Sequence, residues 1–125
     1  MPTVLIVDDE QHIRLLIEQT LEELEDDGIE LLTAGDGDEA LAVVELHRPV
    51  LVFLDVMMPK RNGFDVCRTI KQELGDGTHV VLLTAKGQAY DRQLGEEAGA
   101  DLYMTKPFDP DDLLDRARTA LGLAG

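Results

Sequence analysis

The chain has 125 residues, 44% of them apolar, a formal charge of −15 and one cysteine. Length and apolar content describe a folded domain with a real core, not an acidic disordered tail. The charge argues against direct binding to nucleic acid or to an anionic membrane surface, both of which are held mainly through Lys and Arg.

Cys67, the single cysteine, excludes an internal disulfide and fits a reducing compartment. Met1-Pro2-Thr3 leads into the first apolar run with no basic leader, and no apolar run approaches a membrane span. The expectation is a soluble, cytoplasmic protein.

Val4 to Val7 reads as a first strand. Ile13, Leu16, Ile17, Leu21 and Leu24 then recur at helical spacing among glutamates, and Gly28 ends that helix. Ile29 to Ala34 reads as a second strand, followed by the turn and N-cap signal Asp36-Gly37-Asp38. A short helix through Ala40, Leu41, Val43, Val44 and Leu46 stops before Pro49.

Val50 to Leu54 is apolar throughout, as suits a strand buried on both faces. A loop with Pro59 and Gly63 leads to a third helix that turns Phe64, Cys67, Ile70 and Leu74 inward and breaks at Gly75 to Gly77. Val80 to Leu83 reads as the fourth strand. A helix over about Ala89 to Ala98 is interrupted by Gly95, a poor helix former. Asp101 to Met104 reads as the fifth strand, and Pro110 opens a last helix that ends at Gly122.

Five such βα repeats call for a parallel sheet covered by helices on both faces. With Leu123-Ala124-Gly125 alone after the last helix, the expectation is one domain over 1–125 and no second one within it. Ligands of such sheets bind at the carboxyl ends of the strands. Asp8-Asp9, Asp55, Thr84 and Lys106 all stand there.

Asp55 is the informative member, because an ionised carboxylate beside a buried strand is costly without a cation or a ligand. Asp8-Asp9 alone is better read as helix capping. Beside a third acid, the pair would instead suit a hard cation such as Mg2+, which prefers carboxylate and water oxygens. A carboxylate next to such a cation can attack a phosphoryl group. Thr84 alone is an ordinary strand-end residue, but its hydroxyl can bond a phosphoryl oxygen. Lys106 alone is a solvated lysine. Constrained by Thr105 and by Pro107, whose peptide bond can be cis, it can act as a point charge on phosphate.

Together these residues resemble the receiver domains of two-component response regulators, over essentially the whole chain. The matching positions are Asp8-Asp9, Asp55-Val56-Met57-Met58-Pro59, Gly63, Thr84-Ala85, Ala98-Gly99-Ala100-Asp101, Tyr103 and Lys106-Pro107-Phe108. The resemblance implies a flavodoxin-like three-layer (βα)5 sandwich with strand order 2-1-3-4-5. It implies that Asp55 accepts a phosphoryl group from a sensor histidine kinase or phosphotransfer protein. Mg2+, or Mn2+ in its place, would be held by Asp9 and Asp55, by Asp8 through water, and by the backbone carbonyl of Met57.

On the same basis Lys106, Thr84 and Ala85 would meet the phosphoryl group, and Tyr103 would swing inward as Thr84 moves. The fourth helix, fifth strand and fifth helix would form the signalling face, for a downstream effector or fused output domain that the sequence does not identify. Met57 and Lys86 occupy the positions that tune phosphoryl lifetime in the family. Leu102 stands where members that dimerise through this face often carry an acid, so that dimer is not expected. The chain would be a switch rather than an enzyme.

The alternative is a receiver-like adapter that binds proteins without phosphorylation, but such adapters typically lose one of the acids, the threonine or the lysine. A flavodoxin-like nucleotide binder would need a phosphate-cradling loop where this chain has Asp8-Asp9-Glu10. A metal-dependent phosphatase would need an acid or base near Asp55, and none is evident. His12, His47 and His79 are scattered and suggest no metal cluster, and Cys67 reads as core.

Overall fold

The computed structural model describes residues 2–58, 61–85 and 91–123. Pro59, Lys86 and the expected start of the fourth helix at Ala89 lie outside the described residues. Strands β1 (Thr3–Val7), β2 (Glu30–Ala34), β3 (Leu51–Asp55), β4 (His79–Ala85) and β5 (Leu102–Lys106) form one sheet in the order β2-β1-β3-β4-β5. Every pairing is parallel. Helices α1 (Gln11–Leu21), α2 (Gly37–His47), α3 (Gly63–Leu74), α4 (Asp91–Ala98) and α5 (Pro110–Ala120) connect the strands.

Alternation along the strands divides the core in two, because successive side chains point to opposite faces. Leu5, Val7, Val52, Leu54, Val80 and Leu82 pack with Ala40 and Val44 of α2, Phe64, Cys67 and Ile70 of α3, and Ala98 of α4. Val4, Ile6, Leu51, Phe53, Val81 and Leu83 pack on the other face with Ile17 and Leu21 of α1 and Leu113 and Ala117 of α5. Both faces of β1 and β3 are thus dry, which explains their unbroken apolar runs. Cys67 is part of this packing; burial pushes its thiol up to about 11, and it is inert there.

Local signals account for the helix ends. Asp36 caps α2 by accepting the Glu39 N–H at 2.9 Å, and Asn62 caps α3 by accepting the Asp65 N–H at 2.9 Å. Asp109 and Pro110 open α5, with Asp109 accepting from Asp111. The helix α4 closes with Gly99 in the left-handed region, φ 89°. There Ala100 N–H donates to Gly95 O at 3.0 Å and Gly99 N–H to Glu96 O at 3.1 Å.

Some expected boundaries move. The first helix ends at Leu21 rather than Gly28; a 3-10 turn, Glu22–Asp27, carries Leu24 inward, and Gly28 at φ 81° closes that turn. The second strand starts at Glu30 and the third at Leu51, each one residue later than expected. Asp55, Thr84 and Lys106 belong to β3, β4 and β5 instead of following them, because ladder pairing continues past the last apolar residue. The last helix ends at Ala120.

The connection from β3 to α3 depends on Gly63. Its N–H donates to Val56 O at 2.8 Å, and a Cβ there would run into the Asp55 carbonyl oxygen and lie 2.7 Å from the Val56 Cα. Backbone atoms cannot turn aside as a side chain can. Gly63→Ala should therefore lower stability in urea denaturation by about 3 kcal/mol, an overpacking penalty at the upper end of the usual range. Unchanged stability would mean that this contact has slack.

Candidate functional site

The register of the sheet brings the singled-out residues together. Val7 of β1 stands opposite Leu54 of β3, so Asp8 and Asp55 follow side by side at the same sheet edge. Asp55 pairs with Leu83, which puts Thr84 one step beyond it, and Ala85 pairs with Lys106. Asp8 is fully buried, and Asp55 and Thr84 are buried as well. Asp9 and Glu10 are exposed.

Lys106 joins the two buried acids. Its Nζ lies 3.1 Å from Asp8 Oδ2, to which it donates a hydrogen bond, and 3.2 Å from Asp55 Oδ1. Asp55 Oδ1 also accepts the Met57 N–H at 3.2 Å. One ammonium thus faces two carboxylates. Burial, and then the negative charge of Asp8, push the Asp55 carboxyl up to about 7, against the opposing pull of Lys106 and the Met57 N–H. Burial draws Lys106 down, but Asp55 and Asp8 outweigh it and hold its ammonium above the ordinary lysine value.

An acid raised in the folded state binds protons more tightly there than in the unfolded chain. Its contribution to stability is complete below the ordinary carboxylate value and is lost as pH rises through about 7.

The helix-capping reading of Asp8-Asp9 is not what forms. The N-cap of α1 is Glu10, without a side-chain cap bond. Asp8 Oδ1 instead accepts the Glu10 N–H at 2.9 Å, in a local turn that leaves its other oxygen to Lys106. Carboxylate oxygens of Asp8, Asp9 and Glu10 come within 4.8 Å of one another. Two residues absent from the sequence reading of the site thus border it. Glu10 was legible as a third consecutive acid. Arg14 was not: it donates to the Asp8 carbonyl at 2.7 Å, a contact between α1 and the end of β1 that no local pattern announces.

The donor set among the described residues suits a hard divalent cation: the carboxylates of Asp8, Asp9 and Glu10 cluster, Asp8 alone of them buried, and the buried Asp55 lies outside that cluster, across Lys106 from Asp8. Met57 is exposed, and its N–H is tied to Asp55. The Lys106–Pro107 peptide is cis. Tyr103 is half-buried, packed against the core beside Gly95 of α4. An open cleft of about 540 Å³ lined by His79, Asp101, Asp112 and Arg116 lies at the opposite, amino end of β4 and β5, away from this chemistry.

Comparison with known proteins agrees with this arrangement. Residues 4–118 match the family model "Response regulator receiver domain". The chain is 45% identical over 118 residues to the probable transcriptional regulator ycf27 of Cyanophora paradoxa, covering 94% of this chain and 47% of that protein. It is 42% identical to the alkaline phosphatase synthesis transcriptional regulatory protein PhoP of Bacillus subtilis, covering 94% of this chain and 48% of that one. The chain thus spans about half the length of the curated relatives it matches.

Among solved structures, the Thermotoga maritima response regulator DrrB superposes with a TM-score of 0.86 at 34% identity, covering 98% of this chain and 53% of that one. The Vibrio cholerae chemotaxis protein CheY4 superposes with a TM-score of 0.83 at 35% identity, covering 96% and 98%. The chain belongs to the response regulator receiver domain family of two-component signalling, and its sheet is the flavodoxin-like one of that family.

Proposed function

We propose that the chain is a phosphorylation switch in which Asp55 accepts a phosphoryl group from a phosphohistidine on a sensor kinase or phosphotransfer protein. The observation that carries this reading is the pair of buried carboxylates, Asp8 and Asp55, sharing Lys106 at the sheet edge. Such a concentration of buried charge is unfavourable for folding and marks a site kept for chemistry.

The known contacts of Asp55, to Lys106 and the Met57 N–H, are both made by Oδ1. We assign attack to Oδ2. It forms the new O–P bond, the P–N bond to the donor imidazole breaks, and the electron pair returns to that nitrogen. Asp9 and Asp55 would hold Mg2+, or Mn2+ in its place, with Asp8 acting through water and the Met57 carbonyl completing the protein ligands. A cation bound there supplies the charge neutralisation that lets two anions approach. Lys106 is then drawn from the Asp55 carboxylate toward the phosphoryl oxygens. Thr84 and the Ala85 backbone, next along β4, would bond another of those oxygens, a reading supported by the pairing of Ala85 with Lys106. Tyr103 carries the change to the face of α4, β5 and α5.

Receiver domains are generally switches rather than enzymes. Output here would be a protein contact. One relative, MtrA of Mycolicibacterium smegmatis, is a DNA-binding response regulator of which this chain covers 50%. The charge of −15 argues that any DNA contact in such a setting is made by other residues. Among the described residues no helix is long and apolar enough to cross a membrane, and we assign the domain to the cytoplasm, where its kinase partners present phosphohistidine.

Incubation with a small phosphodonor and Mg2+ should add one phosphoryl group by intact mass, and Asp55→Ala should abolish the addition. An Asp55→Ala protein that labels equally well would remove Asp55 from this role. Independently, millimolar Mg2+ should raise the melting temperature by binding the native state, and Asp9→Ala should remove most of the rise. If both proteins are unmoved by Mg2+, the cation site is wrong.

A further inference from the structure

Gly95 is the position in α4 where the sequence conflicts most with a helix, and nothing in the acidic site uses it. It is buried, near the carboxyl end of an eight-residue helix. A Cβ built on it would collide with the ring of Tyr103, lying 2.5 Å from the hydroxyl oxygen and 2.7 Å from Cζ. The side chain of Tyr103 thus occupies the space that a residue at 95 would need.

The backbones on either side are held. Tyr103 is in register with Leu82 in the β4–β5 ladder, and the Gly95 carbonyl accepts the Ala100 N–H in the turn that closes α4. Neither can retreat without breaking its own hydrogen bonds. What can yield is the ring, by rotation to another staggered χ1 position. Gly63 is the contrasting case, where the obstacle is backbone and rotation offers no escape.

We propose that Gly95 is a positioning residue for Tyr103. Its bare Cα is the notch in α4 that seats the ring against the core, and any side chain there turns the ring outward and remakes the surface formed by α4 and β5. The consequence for signalling rests on the function proposed above: Gly95 would then set the balance between the two positions of Tyr103. The steric claim stands without it.

The test uses the full chain carrying Tyr90→Phe, which leaves Tyr103 as the only tyrosine in a protein without tryptophan. Acrylamide quenching of its emission and the melting temperature are compared with and without Gly95→Ala. The melting temperature is also compared in a Tyr103→Ala background. Seated in its notch, Tyr103 is shielded; Gly95→Ala should raise the quenching constant toward that of the unfolded chain.

With the ring present, Gly95→Ala should lower the melting temperature. With Tyr103→Ala it should raise it, because alanine is a far better helix former than glycine. Unchanged quenching, or a melting shift that is the same with and without the ring, overturns the proposal. If Gly95→Ala alone fails to fold, folding of the Gly95→Ala, Tyr103→Ala protein supports it and failure there overturns it. No readout involves phosphorylation, so an error in the role of Asp55 would not be mistaken for an error here.

Discussion

One ammonium between two buried carboxylates is the constraint around which this domain is arranged. Lys106 comes from the end of β5, Asp8 from the end of β1 and Asp55 from the end of β3. Parallel pairing brings these three ends to one edge, and the order β2-β1-β3-β4-β5 sets β1 beside β3. A sheet whose strands are buried on both faces can supply the rigidity, since its positions are fixed by packing as well as by the ladder. The price of the arrangement is charge: two acids against one base, out of water.

That imbalance links stability to function. In the metal-free protein, ionising Asp55 works against folding, because burial and Asp8 together outweigh Lys106. Anything that brings positive charge to the edge relieves the strain, and anything that draws Lys106 away shifts the balance elsewhere. Under the function proposed above, Thr84 and Tyr103, on the neighbouring strands β4 and β5, would carry such a shift to the surface of α4, converting a charge change at one edge into a packing change at another.

Much of this was legible in the residues. The apolar runs located all five strands and most of the inward helix residues, but Leu16 and Leu46, counted with the apolar sets of the first two helices, are exposed. The acids, Thr84 and Lys106 stood out because each is a polar residue within two positions of the end of such a run. The same logic misplaced the strand ends: hydrophobicity stops at Leu54, Leu83 and Met104, while hydrogen bonding continues through Asp55, Ala85 and Lys106. The 3-10 turn after Leu21 was hidden because Leu24, three residues on, falls on the same face in either helix type. Arg14 and the Gly95–Tyr103 contact were illegible for a different reason: each crosses the loop between consecutive elements at a geometry set by the tertiary fold, and neither leaves a periodic trace.

The central claim is that Asp8 and burial dominate the electrostatics of Asp55 despite the lysine beside it. The direct measurement is a carbon-13 NMR titration of the Asp55 carboxyl in the metal-free protein. The account predicts a midpoint well above the ordinary carboxylate range, near neutrality, and a downward shift when Mg2+ is added. A midpoint near the ordinary aspartate value of about 4, unmoved by Mg2+, would contradict it.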